Sequence, residues 1–460
     1  MSDLFLGIDL GTSGVKVAAV REDGTVAAQW EASYALQRPH PGYAEIAPQE
    51  WERALQRALQ PLADLRFASV GIAGQMHGLV LVDDAGAPCR PAMLWPDRRA
   101  QNELAAWRGL SSAQRLRLAN PLVAGMAGPM LHWVRDNEPL TWQCATAALQ
   151  PKDYVRSRLG GPLVAERSDA SATLLWDVPG DTWAADVVTS LGLPADLLPD
   201  VVPSHWVVGQ AALPGEPALV AGAGDTPAAL LGAGGLAPGH VQVNLGTGAQ
   251  ILVGVAEPQP TPDPVTHLYA DAGSAWYGMA AIQNGGLALN KTREWLGLQW
   301  PDFFAAALSC PTGAGGVSVI PYLAGERGGV AQPATRGAWL GLSDSTTPAH
   351  LARAAIEGML FTVRQGVELL AGPQQQVRVS GGGVREPFVG QLLADVLGAT
   401  VTVVPDRSAS ALGAAMLAAT GVGQTIAVAS GQPVVFQPRQ AADVESAYRC
   451  WVERLPAGDM

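Results

Sequence analysis

The residues of this chain best suited to chemistry are two aspartates, each beside a run of glycines, together with a repeat of one short phrase. Asp9-Leu10-Gly11-Thr12-Ser13-Gly14 returns 235 positions later as Asn244-Leu245-Gly246-Thr247-Gly248, with an acid or an amide at the same offset. Each copy follows an apolar run, Leu4 to Ile8 and Val241 to Val243, and precedes another, Val15 to Val20 and Ala249 to Val255. Both therefore read as hairpins with glycine-rich turns. Such turns expose backbone N–H groups and a threonine hydroxyl without side-chain obstruction, which suits phosphate oxygens. A single Gly-Thr turn only closes a hairpin, whereas two copies imply two phosphate grips, Gly11, Thr12 and Ser13 against Gly246 and Thr247. Asp9 either caps its turn or faces a magnesium ion through water. Lys16 either assists the phosphates or is solvated.

The second aspartate stands in Ala223-Gly224-Asp225-Thr226-Pro227. Proline suits the first helical position, so Thr226 is the expected N-cap and Asp225 falls just outside the helix, free to take a proton from a hydroxyl attacking phosphorus. The alternative is that Asp225 is itself the cap. Gly74-Gln75-Met76-His77-Gly78 lies between strand-like runs, where Gln75 and His77 either orient the hydroxyls of a polyol or are plain loop residues. Trp95 offers an aromatic face with Asp97 nearby, or is part of a packed loop. Gly381, Gly382 and Gly383 follow the strand Gln376 to Val379 and let backbone approach a flat ligand or a phosphate.

The elements around these residues must belong to an α/β protein of two domains. The 460 residues exceed what one core usually supports, and 48% hydrophobic with 15% charged residues fits a well-buried enzyme. Strand-like runs alternate with helical patterns such as Gln49 to Leu62, Arg98 to Trp107, Pro348 to Leu370 and Ser410 to Thr420. A Gly, Ala and Pro-rich stretch sets the expected boundary, giving domains 1–237 and 238–460. From about Gln432 the pattern fades to a short helical tail. A net charge of −12 with no basic run argues against nucleic acid. No apolar span of membrane length and no basic leader are visible, so a cytoplasmic protein is expected. Cys89, Cys144, Cys310 and Cys450 are scattered, suggesting neither a zinc site nor a disulfide framework. The chain has no P-loop, no protein-kinase catalytic loop, no HExxH and no G-x-S-x-G.

Taken together these residues resemble the FGGY family of carbohydrate kinases, within the actin-like ATPase superfamily, and most of all its xylulokinase branch. The likeness runs through Gly7 to Ser13, Gly74 to Gly78, Pro151-Lys152-Asp153-Tyr154, Ser168-Asp169-Ala170-Ser171, Ala223-Gly224-Asp225, Asn244 to Gly248, Pro321 to Arg327 and Gly381 to Gly383. It implies two ribonuclease H-like domains flanking a catalytic cleft, with ATP and Mg2+ between them. It implies Asp225 as general base, Asp9 and Asp225 at the metal, and Gln75, Met76, His77, Trp95, Asp97 and Thr226 around the sugar. The nucleotide would lie against Gly11, Thr12, Ser13, Gly246, Thr247, Gly285, Gly381, Gly382 and Gly383. Glu386 would lie near the adenine, either accepting from its amino group or facing solvent. The implied reaction is phosphorylation of a ketopentose, D-xylulose first, with ribulose, gluconate or glycerol as competing substrates. A nucleotide-binding actin-fold protein without catalysis is the remote alternative. A sugar acid would need a cation, for which Arg98, Arg99 and Arg327 are candidates. Pro96, Thr226, Gly248 and Gly328-Gly329 depart from the family's usual residues, so the sugar is less defined than the reaction. The implied partners are a sugar and ATP, with no nucleic acid or membrane, and a homodimer is left open.

Overall fold

The computed structural model describes residues 4–332, 334–404, 408–428, 433–439 and 442–456. Two mixed sheets repeat one topology. In the first, β1 (Leu4–Leu10), β2 (Gly14–Arg21) and β3 (Val26–Ser33) form an antiparallel meander, and β4 (Ser69–Gly74) and β5 (Ala218–Val220) continue it in parallel on the other side of β1. In the second, β6 (Val241–Leu245), β7 (Ala249–Val255) and β8 (Trp276–Ile282) form the meander, and β9 (Gln376–Ser380) and β10 (Thr400–Val403) run parallel beyond β6. These are the two ribonuclease H-like sheets that the family resemblance implied, and the two hairpins are those read from the repeated phrase. The two glycine turns are the β1–β2 and β6–β7 connections. Gly11 N donates to Gly14 O and Gly246 N donates to Gly248 O, both at 2.9 Å.

The central strands are apolar on both faces, as strands covered on both sides must be. Phe5, Leu6, Ile8 and Leu10 are all fully buried. Helix Pro48–Leu59 covers one face of the first sheet through Trp51, Ala54 and Leu55. The other face is covered from far along the chain by α2 (Ala409–Gly421), which also packs on α1 (Asp225–Gly232). A cut between 237 and 238 leaves each sheet whole but separates α2 from the sheet it covers.

Glycine makes this approach possible. A Cβ at Gly7 would stand 1.8 Å from Ala411 O, one at Gly71 2.0 Å from Ala414 O, and one at Gly413 1.8 Å from Ala228 O. Backbone thus lies on backbone where α1, α2 and the sheet meet.

Three sequence expectations are corrected. The pattern Arg98 to Trp107 is not one helix but a 3₁₀ turn at Arg99–Gln101 and a short helix Leu104–Arg108, broken at Ala100. Helix α1 starts at Asp225, not after Thr226, and Gly224 is its N-cap. Cys89 and Cys144 form a disulfide with Cα atoms 6.0 Å apart. Strand Val80–Val82 pairs with Ala147–Leu149, and this long-range pairing brings together two cysteines 55 positions apart. Gln432 lies outside the described residues, and the tail beyond it contains helix Ala442–Glu453.

Gly413→Ala should destabilise the protein by about 1–3 kcal/mol in urea unfolding, because overpacking at a backbone contact outweighs alanine's helix preference of about 1 kcal/mol. An unchanged or higher midpoint would contradict the packing described.

Candidate active site

The chemistry gathers at the carboxyl ends of the parallel strands. Asp9 stands near the end of β1, Gly74 to Gly78 follows β4, and Asp225 follows Ala223–Gly224, which pairs with β4 at Ala73 and Gly74. In the other sheet Gly381 to Gly383 follows β9, beside β6 and its turn.

A cavity of about 330 Å3 is lined from the first half by Thr12, Met76, His77, Trp95, Asp225 and Thr226. The second half contributes Gln250, His267, Met279 and Arg327. The site therefore lies between the halves. A cavity of about 520 Å3 beside Val253, Pro260 and Leu268 holds neither aspartate nor either glycine turn.

Asp225 Oδ1 accepts from Thr226 N at 2.6 Å and from Thr226 Oγ1 at 3.2 Å, leaving Oδ2 as the oxygen that can take a proton. Burial raises its pKa to about 6 against the lowering effect of those bonds. Asp9 is raised to about 7, chiefly by burial and then by the charge of Asp225, while Lys16 opposes the shift. Asp9 Oδ1 is buried with no hydrogen-bond partner. Two mutually repelling carboxylates, one with an orphaned oxygen, fit Mg2+, a hard cation that prefers oxygen and binds through one or two carboxylates plus substrate phosphates. Among the described residues no group of three or more His, Cys, Asp or Glu could hold a metal without such help.

His77 adopts φ of +72°, a left-handed conformation uncommon outside glycine. Its Nδ1 lies 2.8 Å from Ala172 O. A carbonyl only accepts, so Nδ1 carries the hydrogen and Nε2 is left as a lone-pair acceptor for a ligand hydroxyl. Burial lowers the His77 pKa to about 4, which keeps the ring neutral. Trp95 is 38% exposed, and its Nε1 donates to Thr12 Oγ1 at 3.0 Å, tying the aromatic face to the first glycine turn.

Not every expected sugar ligand faces this cavity. Gln75 is 1% exposed, and its Nε2 donates to Gly11 O at 3.1 Å, so it braces the first turn. Asp97, also 1% exposed, accepts from Ala44 N at 2.7 Å and from the Arg99 guanidinium at 2.7 Å. Arg99 also pairs with Glu45 and lies over the Tyr43 ring, so only Arg327 of the three candidate cations lines the cavity.

The second turn is fixed from behind. Gly286 N donates to Gly246 O and Leu287 N to Thr247 O, so the start of helix Gly286–Trp295 braces the turn. Gly285 allows this, since a Cβ there would lie 2.6 Å from Gly248 C. Gly381, at φ +101°, and Gly383 press against Leu245, whereas Gly382 has open space where a side chain would be. Glu386 is the N-cap of helix Pro387–Leu397, without a side-chain capping bond.

Sequence reading named Ser168 within a motif but gave it no role; its Oγ accepts from Gly224 N at 3.0 Å and donates to Glu166 Oε1 at 2.7 Å. Glu166 in turn belongs to a fully buried cluster with Lys152, Asp153 and Asp169. The Pro151-Lys152-Asp153 and Ser168-Asp169 phrases thus anchor the residue before Asp225. His267 and Gln250 were missed, because a lone histidine or glutamine in a strand gives no local signal.

Two ribonuclease H-like sheets, a phosphate turn from each, and a base-like aspartate between them define a sugar-type phosphotransferase. The chain matches the FGGY family of carbohydrate kinases, N-terminal domain, over residues 4–232 and the C-terminal domain over 241–422, and it belongs to that family. It is 32% identical over 443 residues to the xylulose kinase of Staphylococcus epidermidis (strain ATCC 12228 / FDA PCI 1200), covering 92% of this chain and 89% of that one. The xylulose kinase structure from Rhodospirillum rubrum aligns at TM-score 0.89 and 27% identity over 98% of each chain. A gluconate kinase structure from Lactobacillus acidophilus aligns at TM-score 0.92 and 22% identity, over 98% of this chain and 97% of that one, which is a likeness of fold.

The two raised aspartates give a signed pH expectation. Both fold with a pKa above the ordinary 3.8, so protonation stabilises the ligand-free protein at acid pH, and that stability is lost as pH rises through about 6 to 7. Asp9→Asn and Asp225→Asn should each raise the melting temperature at pH 8 and flatten its decline between pH 5 and pH 8. Equal slopes in wild type and both variants would contradict this.

Proposed function

We propose that this kinase transfers the γ-phosphoryl group of ATP to the primary hydroxyl of a ketopentose, D-xylulose, giving D-xylulose 5-phosphate. The observation that carries the reading is one cavity in which Asp225 meets Thr12 of the first glycine turn and the His77, Met76 and Trp95 wall. The relatives named above as xylulose kinases supply the sugar, since a gluconate kinase shares the fold.

In this reading Asp225 Oδ2 accepts the hydroxyl proton as the oxygen attacks phosphorus, and the bond to the ADP oxygen breaks. His77 Nε2 accepts from a sugar hydroxyl and Trp95 covers the sugar's C–H face. The turns at Thr12 and Thr247 hold phosphate oxygens through backbone N–H groups, with Gly381 to Gly383 beside the adenosine. Mg2+ would be held by Asp9, whose Oδ1 is unpartnered, beside Asp225, and would neutralise phosphate charge. Closing the halves over the cavity excludes water, which favours transfer to sugar over ATP hydrolysis. An enzyme dependent on ATP supply fits a cytoplasmic setting, and among the described residues no helix is long and apolar enough to cross a membrane.

ADP release should be stimulated by D-xylulose above D-ribulose, L-xylulose, gluconate and glycerol, and should stop on chelation of Mg2+. Stronger stimulation by another sugar would overturn the substrate. Asp225→Ala should lower kcat by at least about 100-fold, the lower range for a positioned base. In wild type kcat/KM should rise through about pH 6 as Asp225 ionises. Near wild-type turnover in Asp225→Ala would remove it as the base.

A further inference from the structure

Arg327 is a cation in the reaction cavity that, among the described residues, forms no ion pair; the charge of neighbouring Glu326 acts on it only from a distance, against burial and the charge of Arg98. Its guanidinium carbon lies 5.7 Å from the centroid of the Trp95 ring, and Trp95 Nε1 in turn bonds Thr12 Oγ1 of the first phosphate turn. Arg327 belongs to the second half of the chain and Trp95 to the first, so the contact crosses the cleft. The neighbouring Glu326 is already committed. It accepts from Gln283 N at 2.6 Å, Arg327 N at 2.9 Å and Asn284 Nδ2 at 2.9 Å. Among the described residues the guanidinium makes neither a hydrogen bond nor an ion pair. The same positive charge contributes, after burial, to keeping His77 and His267 neutral.

The loop is built to deliver this side chain. Gly328 and Gly329 adopt φ of +78° and +81°, conformations that suit glycine and exclude proline. A Cβ at Gly329 would also lie 2.8 Å from Leu369 Cδ2 and Val265 Cγ2.

A neutral polyol gives an unpaired guanidinium no counter-charge, whereas a phosphoryl group does, and the planar fork of arginine matches its oxygens two at a time. We propose that Arg327 is a catalytic residue that pairs with the non-bridging oxygens of the phosphoryl group in transit and then holds the phosphate of the sugar product. The inference rests on the kinase reading above. It adds no bond to the reaction: the sugar oxygen bonds phosphorus, the ADP oxygen leaves with its electron pair, and the proton goes to Asp225.

Arg327→Gln and Arg327→Lys test it with the sugar that wild type turns over fastest, so a wrong sugar is seen in wild type and a wrong arginine only in the variants. Arg327→Gln should lower kcat by roughly 100-fold or more, as loss of a transition-state arginine does, and Arg327→Lys should recover part of it. The sugar KM should stay within about threefold, as expected when only a transition-state interaction is lost. Calorimetry should show the phosphate of that sugar binding the Arg327→Gln protein at least about tenfold more weakly than it binds wild type, the cost of one lost charge-assisted pair, while binding of the free sugar is unchanged. A raised sugar KM at constant kcat, loss of free sugar or gluconate binding, or unchanged binding of the sugar phosphate would each overturn the proposal.

Discussion

Two aspartates that repel each other, Asp9 near the end of β1 and Asp225 at the start of α1, are the constraint on which the rest of the cleft depends. Each is drawn from water and held above the ordinary carboxylate pKa. A protein gains no stability from such a pair at neutral pH, and under the proposed function it is a site completed by a cation and phosphates. Asn244 occupies the offset of Asp9 in the second half but is neutral and tied to Ser380 Oγ at 2.7 Å. The duplicated turn has thus kept its shape on both sides and its charge on only one.

What holds these groups in place is close backbone packing. Glycines at 7, 71 and 413 let α2 lie against β1, β4 and α1, and Ser168 fixes Gly224 from below through a buried ion cluster. Asp225 is therefore placed by elements from three distant parts of the chain. Gln75 and Tyr34 both donate to Gly11 O, so the first phosphate turn is braced in the same way. The cavity wall has less support, since His77 is oriented by one carbonyl and Trp95 by one hydroxyl.

Much of this was legible in the sequence because the phosphate turns, the Ala-Gly-Asp phrase and the Gly-Gln-Met-His-Gly loop are local. Their strands are short apolar runs bounded by glycine, which is the clearest strand signal available. The failures share a cause. The Cys89–Cys144 pair, the turning of Gln75 and Asp97 away from the cavity, and the role of Ser168 all depend on partners 53 to 64 positions away that no local pattern reveals. The start of α1 was misplaced because proline is tolerated anywhere in the first helical turn, and here it is the third residue.

The central claim is that Asp9 and Asp225 are a destabilised carboxylate pair in the ligand-free protein, Asp9 raised further by the charge of Asp225, which the proposed function fills with a cation and phosphate. Carboxyl carbon NMR titration of 13C-labelled aspartate in the ligand-free protein, assigned with Asp9→Asn and Asp225→Asn, measures this directly. The account expects two aspartates titrating near 6 and 7, with Asp9 falling in Asp225→Asn and both falling when Mg2+ and an ATP analogue are added. Two aspartates titrating near 4, unmoved by the partner substitution or by Mg2+ and nucleotide, would contradict it.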